Sequence, residues 1–495
     1  MYKNLTKRAA LPMLALGLLL SCTPDEEQAT PSTAFNTDAT ANAANGAASQ
    51  AVKIKKGHYM LIASGSELPA DLSSQVKGMK GNVTGIMKNV GIATVTSDDP
   101  AFAAKASKIK GVTVVPDLEI QWYNPDDMKV MAFDAEAFGD PPFSGDNDPY
   151  FELQWGHDAV DAPQAWNAGH RGKGVRVAVL DGGFDLDHPD LAPNIDLAAS
   201  RSFVVGEELQ YMLNNTFSHG THTAGTVAAA DNGFGVIGVA PEAELILVKV
   251  LRDSGSGSFS WMMQGILHAV EMGADVVNMS LGASLPVNGK FLDEDGNVIN
   301  DTKAVQELLN AISKVTNYAT QRGVTLIASA GNDANNGQKD KSLIHIPSGS
   351  ANVISISATA PVGWALNPLT ANLDGLASYS NYGVTDVDFA APGGDAEYPG
   401  NEIVIIGPVR QYAYVFDLVF STGNNGWYWS AGTSMASPHA AGVAAIIIGA
   451  NGGDMDPAHV RAALRASADD IGKPGRDPYF GHGRVNAFKG VSALQ

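Results

Sequence analysis

The sequence predicts an α/β fold: a doubly wound, mostly parallel sheet with helices on both faces, preceded by a small α+β domain. Three observations carry this. Short apolar runs at Val175–Leu180, Ala274–Val277 and Val324–Ala328 lead into Asp, Asn or Gly, the pattern of strands buried on both faces. Stretches with helical spacing, at Met262–Met272, Lys303–Arg322 and Pro457–Ala466, alternate with those strands. The 495 residues suffice for one large core and one small domain, and shifts in composition mark where each begins.

Residues 1–21 read as a removable export signal, with Lys3, Lys7 and Arg8 ahead of a short apolar run, Ala9–Leu20. That run is too short and wrongly flanked for a spanning helix. Its end, Leu19-Leu20-Ser21-Cys22, resembles a bacterial lipobox, which implies a lipid on Cys22. An ordinary secreted protein that loses its lone cysteine with the signal is the alternative. Cys22 is the only cysteine, so the mature chain has no disulfide. The acidic Asp25-Glu26-Glu27 behind it is similar to export signals of some Bacteroidetes-like lipoproteins, implying an outer-membrane or cell-surface location. Residues 22–52 then form a tether, being mostly Ala, Thr, Asn and Ser up to about Gln50 and unable to bury a core.

Residues 53–123 change character. Strands at Tyr59–Ala63, within Val83–Thr96 (as a hairpin or one long strand) and at Val112–Trp122 alternate with helices at Pro69–Lys80 and Pro100–Lys110. This order suits a small antiparallel sheet with helices on one face. Residues 124–149, rich in Asp, Pro and Gly, read as an exposed linker open to cleavage.

The run Gly432-Thr433-Ser434-Met435-Ala436-Ser437-Pro438-His439 places a serine in a tight turn before an alanine-rich helix. A helix N-terminus offers unpaired N–H groups and a dipole that favour a developing negative charge. A serine hydroxyl needs a base and the base an orienting group. His219 stands at the mouth of another small-residue helix, Ser218–Thr226, and Asp181 ends the strand Val175–Leu180. Asn332 ends a further strand; its amide can donate to an oxyanion, although read alone it is also what a turn cap looks like. The chain order Asp, His, Ser is that of subtilisin.

Taken together the chain resembles a subtilisin-like serine peptidase across most of residues 150–495, down to the closing Gly481–Ala487. The resemblance implies Ser434 as nucleophile, His219 as base, Asp181 as its orienting carboxylate and Asn332 as oxyanion donor. Thr433 would support the same charge at longer range, and His222 would only pack. Residues 53–123 resemble the inhibitory pro-domain of such enzymes, an independent binding module being the alternative. A cut in 124–149 would then either release the peptidase from a lipid on Cys22 or leave it held only through non-covalent contact with the pro-domain; maturation is expected to shed it. The resemblance further implies protein or peptide substrates, the chain's own pro-domain as intramolecular inhibitor, and no cofactor for catalysis.

Gly255, Ser256 and Gly257, with Ser280, Leu281 and Gly282, resemble the two edges between which the family holds substrate as an added strand; on spacing alone the Gly-Ser run could equally be a flexible loop. Phe259 and Met262 are expected to line an apolar pocket, and His345 to lie near the pocket for the residue before the cut, with apolar or aromatic residues preferred there. Asp190 and Asn232 match positions of a stabilising calcium site, whose N-terminal glutamine is out of register here, Gln154 lying beside Trp155-Gly156. Extra stretches fall at about 284–302, where Asp293–Asn297 reads as a turn or a calcium contact, and at 394–428, which is aromatic and either shapes the cleft, binds something or, more commonly for such aromatics, packs in a core. The formal charge of −20 disfavours nucleic acid and anionic surfaces. A catalytically silent peptide-binding scaffold and a processing peptidase or transpeptidase for one partner are the alternative functions.

Overall fold

Residues 52–125, 128, 130–133, 148–213, 217–292, 297–407 and 409–492 are described by the structure, a computed structural model of the chain. The export segment, Cys22, the tether, most of the linker and Asp293–Gly296 of the acidic turn lie outside these residues.

The main sheet runs, edge to edge, Gly375–Leu376, Val353–Ala360, Thr325–Ser329, Val276–Met279, Arg176–Asp181, Glu244–Lys249, Arg201–Ser202, and Phe389–Pro392 also pairs with Val353–Ala360. Every pairing but that of Gly375–Leu376 is parallel. From the central strand Arg176–Asp181 the chain builds to one side, then returns to lay Val276–Met279, Thr325–Ser329 and Val353–Ala360 on the other. Such a reversal opens a crevice at the carboxyl ends of the central strands. Asp181, Ser280 and Ala330 all stand at those ends.

Alternation along the central strand feeds two cores. Val177 and Val179 pack with Ala224, Val227, Ala440 and Val443, from helices His219–Ala228 and Thr433–Ala450. Ala178 and Leu180 pack with Ile266 and Leu308, from helices Phe259–Glu271 and Thr302–Gln321. Both faces are therefore covered by helices, which is why these strands read as continuous apolar runs.

The N-terminal layer is a four-stranded antiparallel sheet in the order Asn82–Met87, Ile92–Thr96, Lys53–Ala63, Val112–Gln121. One face carries Leu61, Ala93 and Val95 against Leu72, Val76, Phe102 and Ala106 of its own two helices, Leu72–Gly78 and Phe102–Ala106. The other face carries Met60, Ile62, Ile92, Val115, Leu118 and Ile120 into the same cluster as Met262, Met263, Ile266, Val305 and Leu308. That face packs on the helices beside the main sheet that it covers.

Three segments differ from a reading by local pattern. Val130–Phe133, inside the stretch expected to be exposed linker, pairs antiparallel with Gly426–Ser430 as an added strand. Within 284–302, Lys290–Leu292 and Val298–Asn300 form a hairpin whose Leu292 pairs with Lys53 of the N-terminal sheet. The aromatic stretch 394–428 folds as two hairpins, and Trp427, Tyr428 and Trp429 are buried in a third core with Tyr150, Trp155 and Phe420.

Candidate active site

Asp181 is fully buried at the end of the central strand. Its Oδ1 accepts from the Gly182 N–H at 2.7 Å and its Oδ2 from the Thr223 hydroxyl at 3.1 Å. His219 Nδ1 lies 2.8 and 2.9 Å from the two oxygens. An ionised carboxylate can only accept, so Nδ1 carries the proton and Nε2 presents its lone pair. Nε2 is buried without a hydrogen-bond partner among the described residues. His219 opens its helix behind Ser218, whose hydroxyl accepts from the Thr221 N–H and donates to the Gly183 carbonyl. That one cap ties the histidine's helix to the loop behind Asp181.

Ser434 is the second residue of helix Thr433–Ala450, and its hydroxyl points to the Ser280 carbonyl at 3.3 Å. A buried chain fixes the backbone beneath it: Ser437 Oγ donates to Asn278 Oδ1 at 2.6 Å, Asn278 Nδ2 to Ser280 Oγ at 3.0 Å, and Ser280 Oγ to the Ser434 carbonyl at 2.7 Å. Asn332 Oδ1 accepts from the Thr433 N–H at 2.9 Å and the Thr433 hydroxyl at 2.7 Å. A backbone N–H can only donate, so the atom facing it is the amide oxygen, and the NH2 is left to donate elsewhere. Thr433 therefore orients Asn332. If Asn332 supplies an oxyanion donor, Asn332→Ala should lower kcat roughly 10²–10³-fold with little change in KM, the usual loss when one such donor is removed; steady-state kinetics on a peptide anilide check it.

The cleft holds a peptide strand, and it is the chain's own. Glu119, Ile120 and Gln121 pair antiparallel with Ser258, Gly257 and Ser256. The Gly255 carbonyl accepts from the Trp122 N–H at 3.0 Å, and the Gly257 carbonyl from the Trp122 indole at 2.9 Å. Gly255 has φ +83°, and a Cβ there would lie 2.2 Å from the Tyr123 carbonyl, so the close approach requires glycine. Trp122 meets Phe259 edge-on at 4.9 Å between centroids, and Met262 belongs to the same apolar cluster. The ring of Tyr123 stacks on His219 at 4.3 Å. Trp122 and Tyr123, with Leu281, Gly282, Asn332 and Ser434, border a cavity of about 60 Å³. His345 lines it too; its Nδ1 lies 2.9 Å from Ser284 Oγ, which donates to Asp333 Oδ2 at 3.2 Å. Part of that lining is thus polar, and burial lowers the His345 pKa, favouring the neutral ring.

The remaining expected residues lie apart from this cleft. His222 turns its Nε2 to the Tyr428 carbonyl at 3.1 Å, and burial drives its pKa down to about 3, so it stays neutral. Asp190 is buried; its Oδ2 accepts from the Val236 N–H at 2.9 Å and the Trp427 indole at 2.8 Å, while Oδ1 has no hydrogen-bond partner among the described residues. Burial pushes its pKa up to about 7. Asn232 donates to the Pro189 carbonyl at 3.1 Å. Gln154 is bound to Ile237 through both its amide atoms. Asp148, not singled out from sequence, is buried and accepts from the Phe234 N–H at 2.8 Å, on the same loop as Asn232 and Val236. Its only signal was an aspartate before Pro149-Tyr150-Phe151. Thr223 was also missed, though its place four residues after His219 on one helix face could have shown it. Trp122 and Tyr123 carried no signal, because only tertiary pairing brings them into the cleft.

The carboxyl edge of the parallel sheet thus carries a buried Asp–His pair, and helix Thr433–Ala450 opens there with a serine and an amide oriented by Thr433. Comparison with known proteins gives the family. Residues 172–483 match the model of the subtilase family, Peptidase_S8. Thermitase of Thermoactinomyces vulgaris is 32% identical over 347 residues, 70% of this chain and 98% of that one. Subtilisin Savinase of Lederbergia lenta is 34% identical over 337 residues, 68% of this chain and 97% of that one. Among solved structures, the epidermin leader peptide processing serine protease of Staphylococcus aureus shares the fold, with TM-score 0.66 and 21% identity over 88% of this chain and 98% of that one. The chain belongs to the subtilase family of serine peptidases and has the subtilisin-like fold.

Proposed function

We propose that this chain is a serine endopeptidase that cuts proteins or peptides bound as an extended strand, and that it first cuts itself. The observation that carries this is the strand Glu119–Gln121, continued by Trp122 and Tyr123, laid along Ser256–Ser258 and over His219. In the reaction the Ser434 hydroxyl turns from the Ser280 carbonyl to His219 Nε2. His219 takes its proton as Oγ attacks the peptide carbonyl, and Asp181 stabilises the imidazolium. The Asn332 NH2 and the Ser434 N–H hold the oxyanion. His219 returns the proton to the leaving amine, and water attacks the acyl-enzyme by the same base. Intact masses of residues 23–495 as wild type and as Ser434→Ala test this. The wild type should lose its front piece by a cut close behind Tyr123, within 124–149, and the variant should stay whole; an uncut wild type would contradict the reading.

Residues 53–123 are then the inhibitory pro-domain. Ser260 donates to its Asp117 at 2.6 Å, and burial raises the Asp117 pKa to about 6 against hydrogen bonds from Ser260 and Ser258 and the charge of Lys55. Undocked, the carboxyl returns toward its ordinary 3.8. The docked form therefore holds more protons between 3.8 and about 6, so docking weakens as pH rises through that window. Inhibition by the pro-domain should be tightest near pH 4 and weaker at pH 7, with a flatter profile in Asp117→Asn.

Asp190, Asp148 and Asn232 flank one loop, and Asp190 Oδ1, buried with no hydrogen-bond donor among the described residues, fits a hard cation. Calcium there would be held by these side chains with backbone carbonyls and would pin the loop 231–236 without entering the chemistry. Chelation should lower the melting midpoint on the order of 10 °C; an unchanged melting curve would remove the site. Export with a lipid on Cys22 completes the proposal, and incorporation of labelled palmitate, lost in Cys22→Ala, checks it.

A further inference from the structure

The cavity that Ser434 and Asn332 border has one strongly polar wall. Strands Ala283–Pro286 and Leu343–Ile346 pair antiparallel as a separate ribbon, which sets Ser284 directly opposite His345. Ser284 Oγ bridges His345 Nδ1 at 2.9 Å and Asp333 Oδ2 at 3.2 Å. Asn381 braces the far end: its Oδ1 accepts from the N–H groups of Asp333 and Asn335 at 3.0 and 2.9 Å, and its Nδ2 donates to the Ala330 carbonyl at 2.9 Å. With the serine proton on the Asp333 side, Nδ1 carries the ring proton and Nε2 is an acceptor. With the hydroxyl turned to Nδ1, which Asn381 Nδ2 also faces at 3.4 Å, Nε2 is a donor. In either tautomer Nε2 is buried without a hydrogen-bond partner among the described residues. Ser329 and Ser348, both buried, add further hydroxyls to the lining. None of these groups takes part in the proton transfers proposed above.

We infer that this wall selects the substrate side chain on the acyl side of the cut, and that it takes a carboxamide, asparagine or glutamine. This rests on the peptidase reading above and runs against the apolar or aromatic preference expected from the sequence. A carboxamide carries both NH2 and C=O, so it pairs with Nε2 in either tautomer. An apolar or aromatic side chain would cover Nε2 and leave it unpaired, and a site built around a buried polar atom rejects such a group. A carboxylate would meet the charge of Asp333 in the lining, and Asp340 and Asp386 are also close enough to act on the ring. An ammonium would shed its water in a cavity of about 60 Å³, against an imidazole that burial keeps neutral.

The test is hydrolysis, by processed protein made from residues 23–495, of anilides of one peptide that differ only in the last residue: Asn, Gln, Asp, Leu, Phe or Lys. Asn, Asp and Leu share one branched outline, so polarity and charge alone separate them. The kcat/KM for Asn should exceed those for Leu and for Asp roughly tenfold or more. His345→Leu removes both ring nitrogens and should lower the Asn-to-Leu ratio roughly tenfold or more, whereas a merely structural role would lower all rates together. His345→Gln restores a donor and an acceptor and should keep Asn ahead. Leu, Phe or Lys cut fastest by the unsubstituted protein, or an Asn-to-Leu ratio unmoved in His345→Leu, would overturn the inference. Hydrolysis of none of the peptides would instead remove the peptidase reading, and the inference with it.

Discussion

Replacing Ser434 by alanine is expected to lower kcat on the order of 10⁶-fold, the size found for the nucleophile of subtilisin, while leaving the fold in place. The argument has two halves. Chemically, Thr433 and Ser434 are the two hydroxyl residues of the helix N-terminus that border the cavity with Asn332, Leu281 and Tyr123. Thr433 is the neighbouring hydroxyl, but it is spent on Asn332. Structurally, Ser434 Oγ makes a 3.3 Å contact with the Ser280 carbonyl, a neutral hydrogen bond worth about 1 kcal/mol or less. The buried relay through Ser437, Asn278 and Ser280 ends on the Ser434 carbonyl, which alanine keeps. Melting curves of the two proteins should therefore nearly superimpose, and activity alone should vanish.

Asp181→Asn should cost roughly 10⁴-fold in kcat, by analogy with the effect of that exchange in serine-protease triads. The reason lies in three donors that converge on the carboxylate: the Gly182 N–H, the Thr223 hydroxyl and His219 Nδ1. Asparagine offers one oxygen in place of two. Its NH2 can face Nδ1 only if that nitrogen accepts, which moves the imidazole proton to Nε2. The base then has no lone pair for the serine proton. Thr223→Val removes one of the three donors and keeps the tautomer, so its loss should stay within about tenfold. Similar losses in Asp181→Asn and Thr223→Val, measured as kcat on one substrate, would refute the tautomer argument.

The sheet was legible because its strands leave a local signature, and the four proposed site residues stood out for the same reason. Strands buried on both faces read as apolar runs that end in small and polar groups, Asp181-Gly182-Gly183 and Gly331-Asn332, and Gly432-Thr433-Ser434 marks a helix start. What was not legible depends on pairing between distant segments. Val130–Phe133 has the composition of a linker neighbour, yet finds the edge of Gly426–Ser430. The hairpin strands Lys290–Leu292 and Val298–Asn300 flank what reads as an acidic turn, and only the tertiary fold shows that Phe291 is buried. Trp427 reads as one aromatic among several, whereas its indole N–H bonds Asp190 across 237 positions. Short β segments carry little register information of their own. Their partners are chosen by burial, which sequence alone does not localise.

The most direct test of the account is where a fluorophosphonate attaches. Peptide mass mapping of the processed protein, after its N-terminal piece is removed, should place a single adduct on Ser434. That adduct should disappear in His219→Ala, because the hydroxyl is then no longer activated. An adduct on another serine, or none on a protein that still cuts peptides, would contradict the assignment of the nucleophile.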